Sequence, residues 1–125
     1  MTKLEKRQII YDKYGGRCAY CGEMIEYKAM QVDHIIPRNR YSGKYGCLIQ
    51  NGKKVDYEMD DLRNLNPTCR ICNNWKLTFT LEDFRKEISK QVERARKYSR
   101  NFRMAERFGF IKTIDKSVVF YFESF

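Results

Sequence analysis

Four of the five cysteines form two Cys-x-x-Cys pairs, Cys18/Cys21 and Cys69/Cys72, separated by 47 residues. Thiolates are good ligands for Zn²⁺, and two such pairs that converge in space supply a closed tetrahedron. We therefore predict a structural zinc site that holds the fold and leaves no open position for catalysis. The alternatives are buried thiols or a redox pair, but a redox pair does not explain the second Cys-x-x-Cys. Cys47 is predicted to lie in a hairpin and not to bind the zinc.

The single histidine of the chain directly follows an acid, in the sequence Asp33-His34. Apolar residues flank the two on both sides, which predicts a strand over 30–36 that ends at Pro37. A carboxylate beside an imidazole brings a hard oxygen ligand and a proton acceptor to one place. Mg²⁺ prefers carboxylate and amide oxygens, and candidate amides bracket the second cysteine pair: Asn64, Asn66, Asn73 and Asn74. A histidine with a purely structural role is the alternative.

Local patterns predict the elements that position these residues. A helix is predicted over 3–14, with Leu4, Ile9, Ile10 and Tyr14 as its apolar side, and Gly15-Gly16 ends it. Asn51-Gly52 predicts a hairpin turn inside the polar segment 38–61. A short helix is predicted over 69–76.

The C-terminal part has a different pattern. Apolar residues at helical spacing predict one long helix over 80–107. Its outer face is basic: Arg94, Arg96, Lys97, Arg100, Arg103 and Arg107. Val118–Phe122 is predicted to form a strand. The apolar residues of the long helix are expected to pack on the core, and its basic face to lie along a nucleic-acid backbone or in solvent.

Composition narrows the class of protein. The chain has 125 residues, 42% of them hydrophobic, so we expect one folded domain and not a disordered chain. Its net charge of +9 favours a polyanionic partner, most often nucleic acid. No apolar run approaches the roughly 20 residues of a membrane-spanning helix. The N-terminus lacks a secretory signal pattern, so we expect a reducing cytoplasm and no membrane partner.

The segment Val32-Asp33-His34-Ile35-Ile36-Pro37, followed by Asn64-Leu65 and then Cys69-x-x-Cys72-Asn73-x-x-Lys76, resembles the HNH endonuclease family, in its subtype with a four-cysteine zinc site. The resemblance covers about residues 14–78, and the tail is similar to that of small stand-alone HNH proteins of phages and prophages. It implies an α+β fold with a ββα-metal core. We therefore expect a single domain over 1–125, with the core at 14–78, a hairpin insertion and a helical and strand extension at 79–125.

The resemblance also implies residue roles. His34 corresponds to the general base that activates water, and Asn64 to the residue that positions this base and ties the loop to the helix. Asp33 and Asn73 correspond to the protein ligands of a catalytic Mg²⁺ or Mn²⁺. Asn74 is the competing candidate for the role of Asn73, but the nine-residue interval from Asn64 favours Asn73.

The segment between His34 and Asn64 has 29 residues, longer than in many compact members of the family. It supplies most of the candidate nucleic-acid contacts, which are Arg38, Arg40, Lys44, Lys53 and Lys54. A solvated hairpin is the alternative. Lys76 corresponds to the terminal lysine of the family motif, which is a phosphate contact or a structural group. The acidic residues of this segment are predicted to be solvated and to bind no second metal: Asp56, Glu58, Asp60 and Asp61.

These expectations describe an endonuclease that cuts or nicks double-stranded DNA with one catalytic metal ion, in a bacterial or phage-infected cell. One active site cuts one strand, so double-strand cleavage requires a homodimer or two visits. A phage partner protein is also compatible with the sequence. The alternative from another class is a zinc-stabilised nucleic-acid-binding module without catalysis. An interaction protein on a degenerate nuclease fold has less support, because all the expected site residues are present.

Overall fold

The structure is a computed structural model that describes residues 1–38, 41–42, 47–50 and 52–125, with only the backbone described at 41–42 and 47–49. The chain divides into two compact units. The first unit contains residues 1–81 and 119–125, and the second contains residues 82–118. The division differs from the expected extension at 79–125, because the last residues of the chain pack with the first unit. None of the helices in the described ranges has the length and apolar character needed to cross a bilayer.

Helix α1 spans Lys3–Asp12, two residues shorter than predicted. A capping box starts it, in which the Thr2 hydroxyl accepts from the backbone N–H of Glu5 and the Glu5 carboxylate accepts from the N–H of Thr2. Ile10 is buried with Ile25, Met30 and Leu65 in the core of the first unit. The apolar side of α1 is narrower than predicted, since Leu4 and Ile9 are exposed.

Two antiparallel strands and one helix form the centre of the first unit. Strand β1 spans Gln31–His34 and pairs with β5, Leu65–Thr68, in a register that sets Asp33 opposite Asn66 and His34 opposite Leu65. Helix α2, Arg70–Lys76, begins directly after β5 and packs against β1. The predicted α+β class, strand and short helix are confirmed.

A second sheet lies in the segment between β1 and β5. It contains β2, Tyr41–Ser42, β3, Cys47–Gln50, and β4, Lys53–Lys54, in the antiparallel order β2-β3-β4. Gly52, at φ +77°, lies in the turn between β3 and β4, so the predicted hairpin is confirmed. Arg40, Lys44 and Asn51 lie outside the described residues.

The C-terminal residues pack on the turn that holds the first cysteine pair. The N–H groups of Tyr121 and Phe122 donate to the carbonyls of Tyr20 and Ala19, at 3.1 and 2.8 Å. Gly22, at φ +78°, is in contact with this segment, because an added Cβ would lie 3.0 Å from the Tyr121 ring. The predicted C-terminal strand is wrong. Residues Tyr121–Ser124 form a 3-10 turn, since the two N–H groups bond a turn and not a neighbouring strand.

The predicted long helix of the C-terminal part is also wrong. Three shorter helices take its place: α3, Leu81–Ser89, of which all but the first residue belongs to the second unit, α4, Gln91–Tyr98, and α5, Arg100–Arg107. The Ser99 hydroxyl caps α5 by accepting from the N–H of Phe102, and the Arg103 guanidinium donates to two carbonyls at the end of α4. These contacts satisfy carbonyls at the end of α4 and an N–H at the start of α5, so one helix ends and the next begins at Ser99.

Several arginines of the predicted basic face bind acidic side chains or carbonyls of the second unit itself. Arg96 donates to Glu106 at 2.9 and 2.6 Å and so joins α4 to α5, while Arg94 donates to Glu87 and joins α4 to α3. These arginines hold helices together. Arg94, Arg96 and Arg103 are therefore less available to a nucleic acid than a single solvent-facing helix would make them.

Helix α2 ends in a tight turn with an unusual residue. Leu77 has φ 49° and ψ −122°, and the N–H of Phe79 donates to the carbonyl of Lys76 at 2.8 Å. These angles define the first central position of a type II′ turn, which glycine normally occupies. A leucine there is strained by about 1–3 kcal/mol. Its side chain is 66% exposed, so burial recovers little of this strain.

We predict that Leu77→Gly is more stable than Leu77→Ala by about 1 kcal/mol, because glycine relieves the positive φ at some cost in chain entropy. Both variants lack the leucine side chain, so their difference isolates the backbone. Urea unfolding of the two variants measures it. At an ordinary position alanine is the more stable residue by about 0.5–1 kcal/mol, and that order would contradict the turn.

Candidate functional site

Three of the four predicted catalytic residues line one cavity of about 180 Å³: Asp33 and His34 from β1, and Asn73 from α2. The β1–β5 ladder and the return of α2 onto β1 bring them together. The rest of the wall is apolar, neutral or cationic: Val32, Pro37, Arg38, Leu77 and Thr78. A carboxylate, an imidazole and an amide therefore share one opening to solvent.

The carboxylate of Asp33 is buried and is held from two directions. The Tyr20 hydroxyl donates to Oδ2, and the Lys76 ammonium lies 3.2 Å from Oδ1 and 3.1 Å from Oδ2. Burial raises the pKa of Asp33, while Lys76 and Tyr20 act in the opposite direction. Burial is also the main reason that the pKa of Tyr20 lies well above its usual value. Tyr20 lies inside the first Cys-x-x-Cys and is not among the residues predicted from the sequence.

Lys76 has no exposed surface. Its ammonium donates to Asp33 and, at 2.9 Å, to the backbone carbonyl of His34. Burial lowers the pKa of Lys76, and the charge of Asp33 opposes that shift. This placement disagrees with the expected phosphate contact, because a side chain without exposed surface cannot reach a duplex. The contacts favour the other predicted role, a structural group, because Lys76 joins α2 to β1.

The imidazole of His34 contacts an acid that the sequence analysis had assigned to solvent. His34 Nε2 lies 2.9 Å from Oδ1 of Asp60. This hydrogen bond is the main reason that the pKa of Asp60 is lowered, and the charges of Arg38 and Lys6 act in the same direction. The description of Asp60 as a purely solvated residue is therefore wrong, although its side chain is 68% exposed.

Asn64 is fully buried, and its amide joins three backbone groups. Oδ1 accepts from the N–H of Ile36 at 2.8 Å, and Nδ2 donates to the carbonyls of Ile36 and Met59 at 3.2 and 2.9 Å. These contacts join the residues that follow β1 to the last residues of the insertion, which precede β5.

The two neighbouring asparagines of α2 have different surroundings. Asn73 is half-buried at the cavity, and its Nδ2 donates to Oε1 of Gln31 at 2.6 Å. Asn74 is exposed and does not line the cavity. Because the amide nitrogen of Asn73 bonds Gln31, its oxygen is the atom that remains for a ligand.

The donors at the cavity fit a hard cation. A carboxylate has about four lone-pair positions, and the hydrogen bonds from Tyr20 and Lys76 use two of them. Lone pairs on Asp33 and the amide oxygen of Asn73 therefore remain. Mg²⁺ usually keeps several waters and takes one or two protein oxygens, which agrees with so small a donor set.

The four cysteines predicted to bind zinc converge, with all Sγ atoms within 4.8 Å of one another. The Sγ atoms of Cys21 and Cys69 are 3.9 Å apart. In a tetrahedron with Zn–S bonds of about 2.3 Å, sulfurs lie about 3.8 Å apart, so the cluster fits Zn²⁺.

The acidity of these thiols agrees with a cation-binding cluster. A hydrogen bond from the Cys72 thiol lowers the pKa of Cys18 to about 4. Burial raises the pKa of Cys21 to about 11, and the contact with Cys18 raises the pKa of Cys72. The protein alone thus favours the thiolate at Cys18 and the thiol at Cys21 and Cys72, and a divalent cation would favour thiolates at its ligands.

The predicted nucleic-acid contacts have different placements. Arg38 lies at the cavity, and Lys53 and Lys54 are exposed on β4. The structure also places cations that the sequence analysis missed. Lys3, Lys6 and Arg7 of α1 line a second cavity of about 230 Å³, which His34 and Asp60 share. These residues are far from His34 in the sequence, so no local pattern indicates that they lie near it.

Comparisons with known proteins give one family match and one similar solved structure. The family model described as HNH endonuclease matches residues 18–78. Among solved structures, the chain is similar to the Type II-C Cas9 enzyme from Actinomyces naeslundii, with a TM-score of 0.49 and 21% sequence identity. The match covers 82% of this chain and 10% of that enzyme, so the chain spans a small part of its length. A search of curated proteins gives no significant match.

We predict one zinc ion per chain and a loss of that zinc in Cys69→Ser, with a fall in Tm of about 10 °C or more, because metal binding contributes directly to folding. Metal analysis and thermal unfolding measure both effects. Cys47→Ser is the matched control and should keep one zinc ion. Full zinc content in Cys69→Ser would contradict the site.

Proposed function

We propose that this chain is a metal-dependent endonuclease that hydrolyses phosphodiester bonds of double-stranded DNA, because the HNH endonuclease family model matches residues 18–78. The observation that carries the proposal is the shared cavity of Asp33, His34 and Asn73. A protein that only binds nucleic acid has no need of a carboxylate, an imidazole and an amide at one opening. The cysteine cluster and the basic charge would serve either function.

Asp33 and Asn73 are the residues that would hold a catalytic Mg²⁺ or Mn²⁺, through a carboxylate lone pair and the amide oxygen. Such an ion stabilises the negative charge that develops on the phosphate and on the leaving oxygen. Lys76 and Tyr20 keep the Asp33 carboxylate in one orientation. Gln31 does the same for the amide of Asn73. The ligands are therefore positioned before the substrate arrives.

His34 is the general base in this proposal. It takes a proton from water, and the water oxygen then forms a bond to phosphorus while the bond from phosphorus to the 3′ oxygen breaks. The electron pair leaves with the 3′ oxygen, which takes a proton from solvent. The expected products carry a 5′-phosphate and a 3′-hydroxyl. Imidazole suits this role because it exchanges protons near neutral pH.

Binding of the duplex would depend on cations around the cavity. Arg38 lies at its wall, the α1 lysines Lys3 and Lys6 line the second cavity that His34 shares, and Lys53 and Lys54 are exposed. Contacts of this kind bind the backbone without reading bases, and the affinity falls as salt rises. The described residues form one cavity that holds this carboxylate, imidazole and amide, so we expect a monomer to nick one strand.

The test is relaxation of supercoiled plasmid by zinc-loaded protein with Mg²⁺, Mn²⁺ or EDTA. We predict metal-dependent nicking, and a loss of about 10²–10⁴ in rate for His34→Ala, because that is the usual contribution of a general base. Plasmid binding by His34→Ala, measured by gel shift, should stay within a few-fold of wild type.

Asn73→Ala and Asn74→Ala form a matched pair within this assay. The first should lose cleavage and the second should keep it, since Asn73 lines the cavity and Asn74 does not. If a zinc-loaded wild type binds DNA but cuts none with either metal, the non-catalytic binding module is the better description.

A further inference from the structure

The hydrogen bond between His34 and Asp60 has a consequence for the proposed reaction. Imidazole has two nitrogens, and a neutral ring that donates from one keeps a lone pair on the other. A carboxylate oxygen accepts hydrogen bonds, so we assign the proton to Nε2 of His34, which lies 2.9 Å from Oδ1 of Asp60. The lone pair is then on Nδ1. A contact outside the family motif thus selects which nitrogen can act as base.

The other acids of the same stretch do not make this contact. Asp61 accepts from the backbone and side chain of Arg63 at 2.8 and 3.0 Å, and Asp56 lies 3.6 Å from the Arg63 guanidinium. Within the described part of the chain, Asp60 is the carboxylate that is hydrogen-bonded to the His34 ring. The position of Asp60 is therefore distinguishable from a general excess of negative charge.

The backbone around Asp60 is fixed on both sides. The Met59 carbonyl accepts from the buried amide of Asn64, and the N–H of Asp61 donates to the Glu58 carbonyl at 3.1 Å. The carbonyl of Asp60 itself accepts from Lys6 Nζ of α1 at 2.5 Å. An exposed carboxylate on an anchored backbone can hold a ring in place with little loss of side-chain freedom, because aspartate has few rotamers.

We propose that Asp60 is a positioning residue for His34. It accepts from Nε2–H, fixes the tautomer with its lone pair on Nδ1, and holds the edge of the ring in one orientation. When Nδ1 takes the proton of the attacking water, the ring becomes a cation, and the adjacent carboxylate stabilises it. This inference rests on the proposed function, in which His34 is the base.

Asp60→Ala and Asp60→Asn test the inference, with Asp61→Asn as the matched control. Partners that orient a functional histidine typically contribute about 10–100-fold. We expect kcat for plasmid nicking to fall by about that factor in Asp60→Ala, with KM unchanged. Asp60→Asn keeps an acceptor without the charge and should lose less. Asp61→Asn removes the same charge at the neighbouring residue, and its kcat should stay within about two-fold of the wild-type value.

Nuclear magnetic resonance measures the contact without activity. The chain has one histidine, so a long-range ¹H–¹⁵N correlation reports on His34 alone. The wild type should show a slowly exchanging, downfield Hε2 proton that Asp60→Ala lacks and Asp61→Asn retains. Zinc content and Tm of each variant establish that it is folded.

The possible outcomes separate the two claims. If the wild type cuts DNA and Asp60→Ala has the same kcat, or if Asp61→Asn loses as much, the inference is overturned and the nuclease proposal stands. If the protected Hε2 proton is absent from the wild type, the contact itself is wrong. If the wild type cuts no DNA, both the proposed function and this inference fall, whatever the resonance shows.

Discussion

The site depends on one short ladder, the pairing of β1 with β5. Four residue pairs join these strands, and a two-stranded sheet of this size is marginal in water on its own. Yet β1 carries Asp33 and His34, and β5 leads directly into the helix that carries Asn73. The ladder must therefore be held by other contacts. The cysteine cluster lies at the Cys69 end, and the amide of Asn64 fixes the chain at the opposite end.

The buried ion pair of Lys76 and Asp33 completes this arrangement. A buried charge is costly unless it is paired and hydrogen-bonded, and here the ammonium contacts both carboxylate oxygens and the His34 carbonyl. Tyr20 closes the other side of Asp33, and the rings of Phe120 and Phe122 pack edge-on against Tyr20. The end of the chain thus supports the site through Tyr20, which links the last residues of the sequence to a carboxylate on β1.

Sequence patterns were sufficient where the determinants are local. Apolar residues around Asp33-His34 predict a strand, the Cys-x-x-Cys spacing predicts a cluster, and Asn51-Gly52 predicts a hairpin. They were insufficient where distant groups compete. The apolar tail has strand composition, but its N–H groups bond the turn at Tyr20. The long apolar periodicity continues through Ser99, whose hydroxyl caps a new helix. Asp60 and the burial of Lys76 had no local signal, because each depends on a partner elsewhere in the chain.

The most direct test of the central claim, that one fold holds a structural zinc ion and a separate catalytic metal site, is the position of each metal in crystals soaked with Mn²⁺. Anomalous difference maps at the zinc and manganese edges distinguish the two ions. We expect zinc about 2.3 Å from the four cysteine sulfurs, and manganese in the cavity, bound by Asp33 and Asn73. Zinc in the cluster with no manganese at Asp33, at a concentration that supports cleavage, would contradict the account.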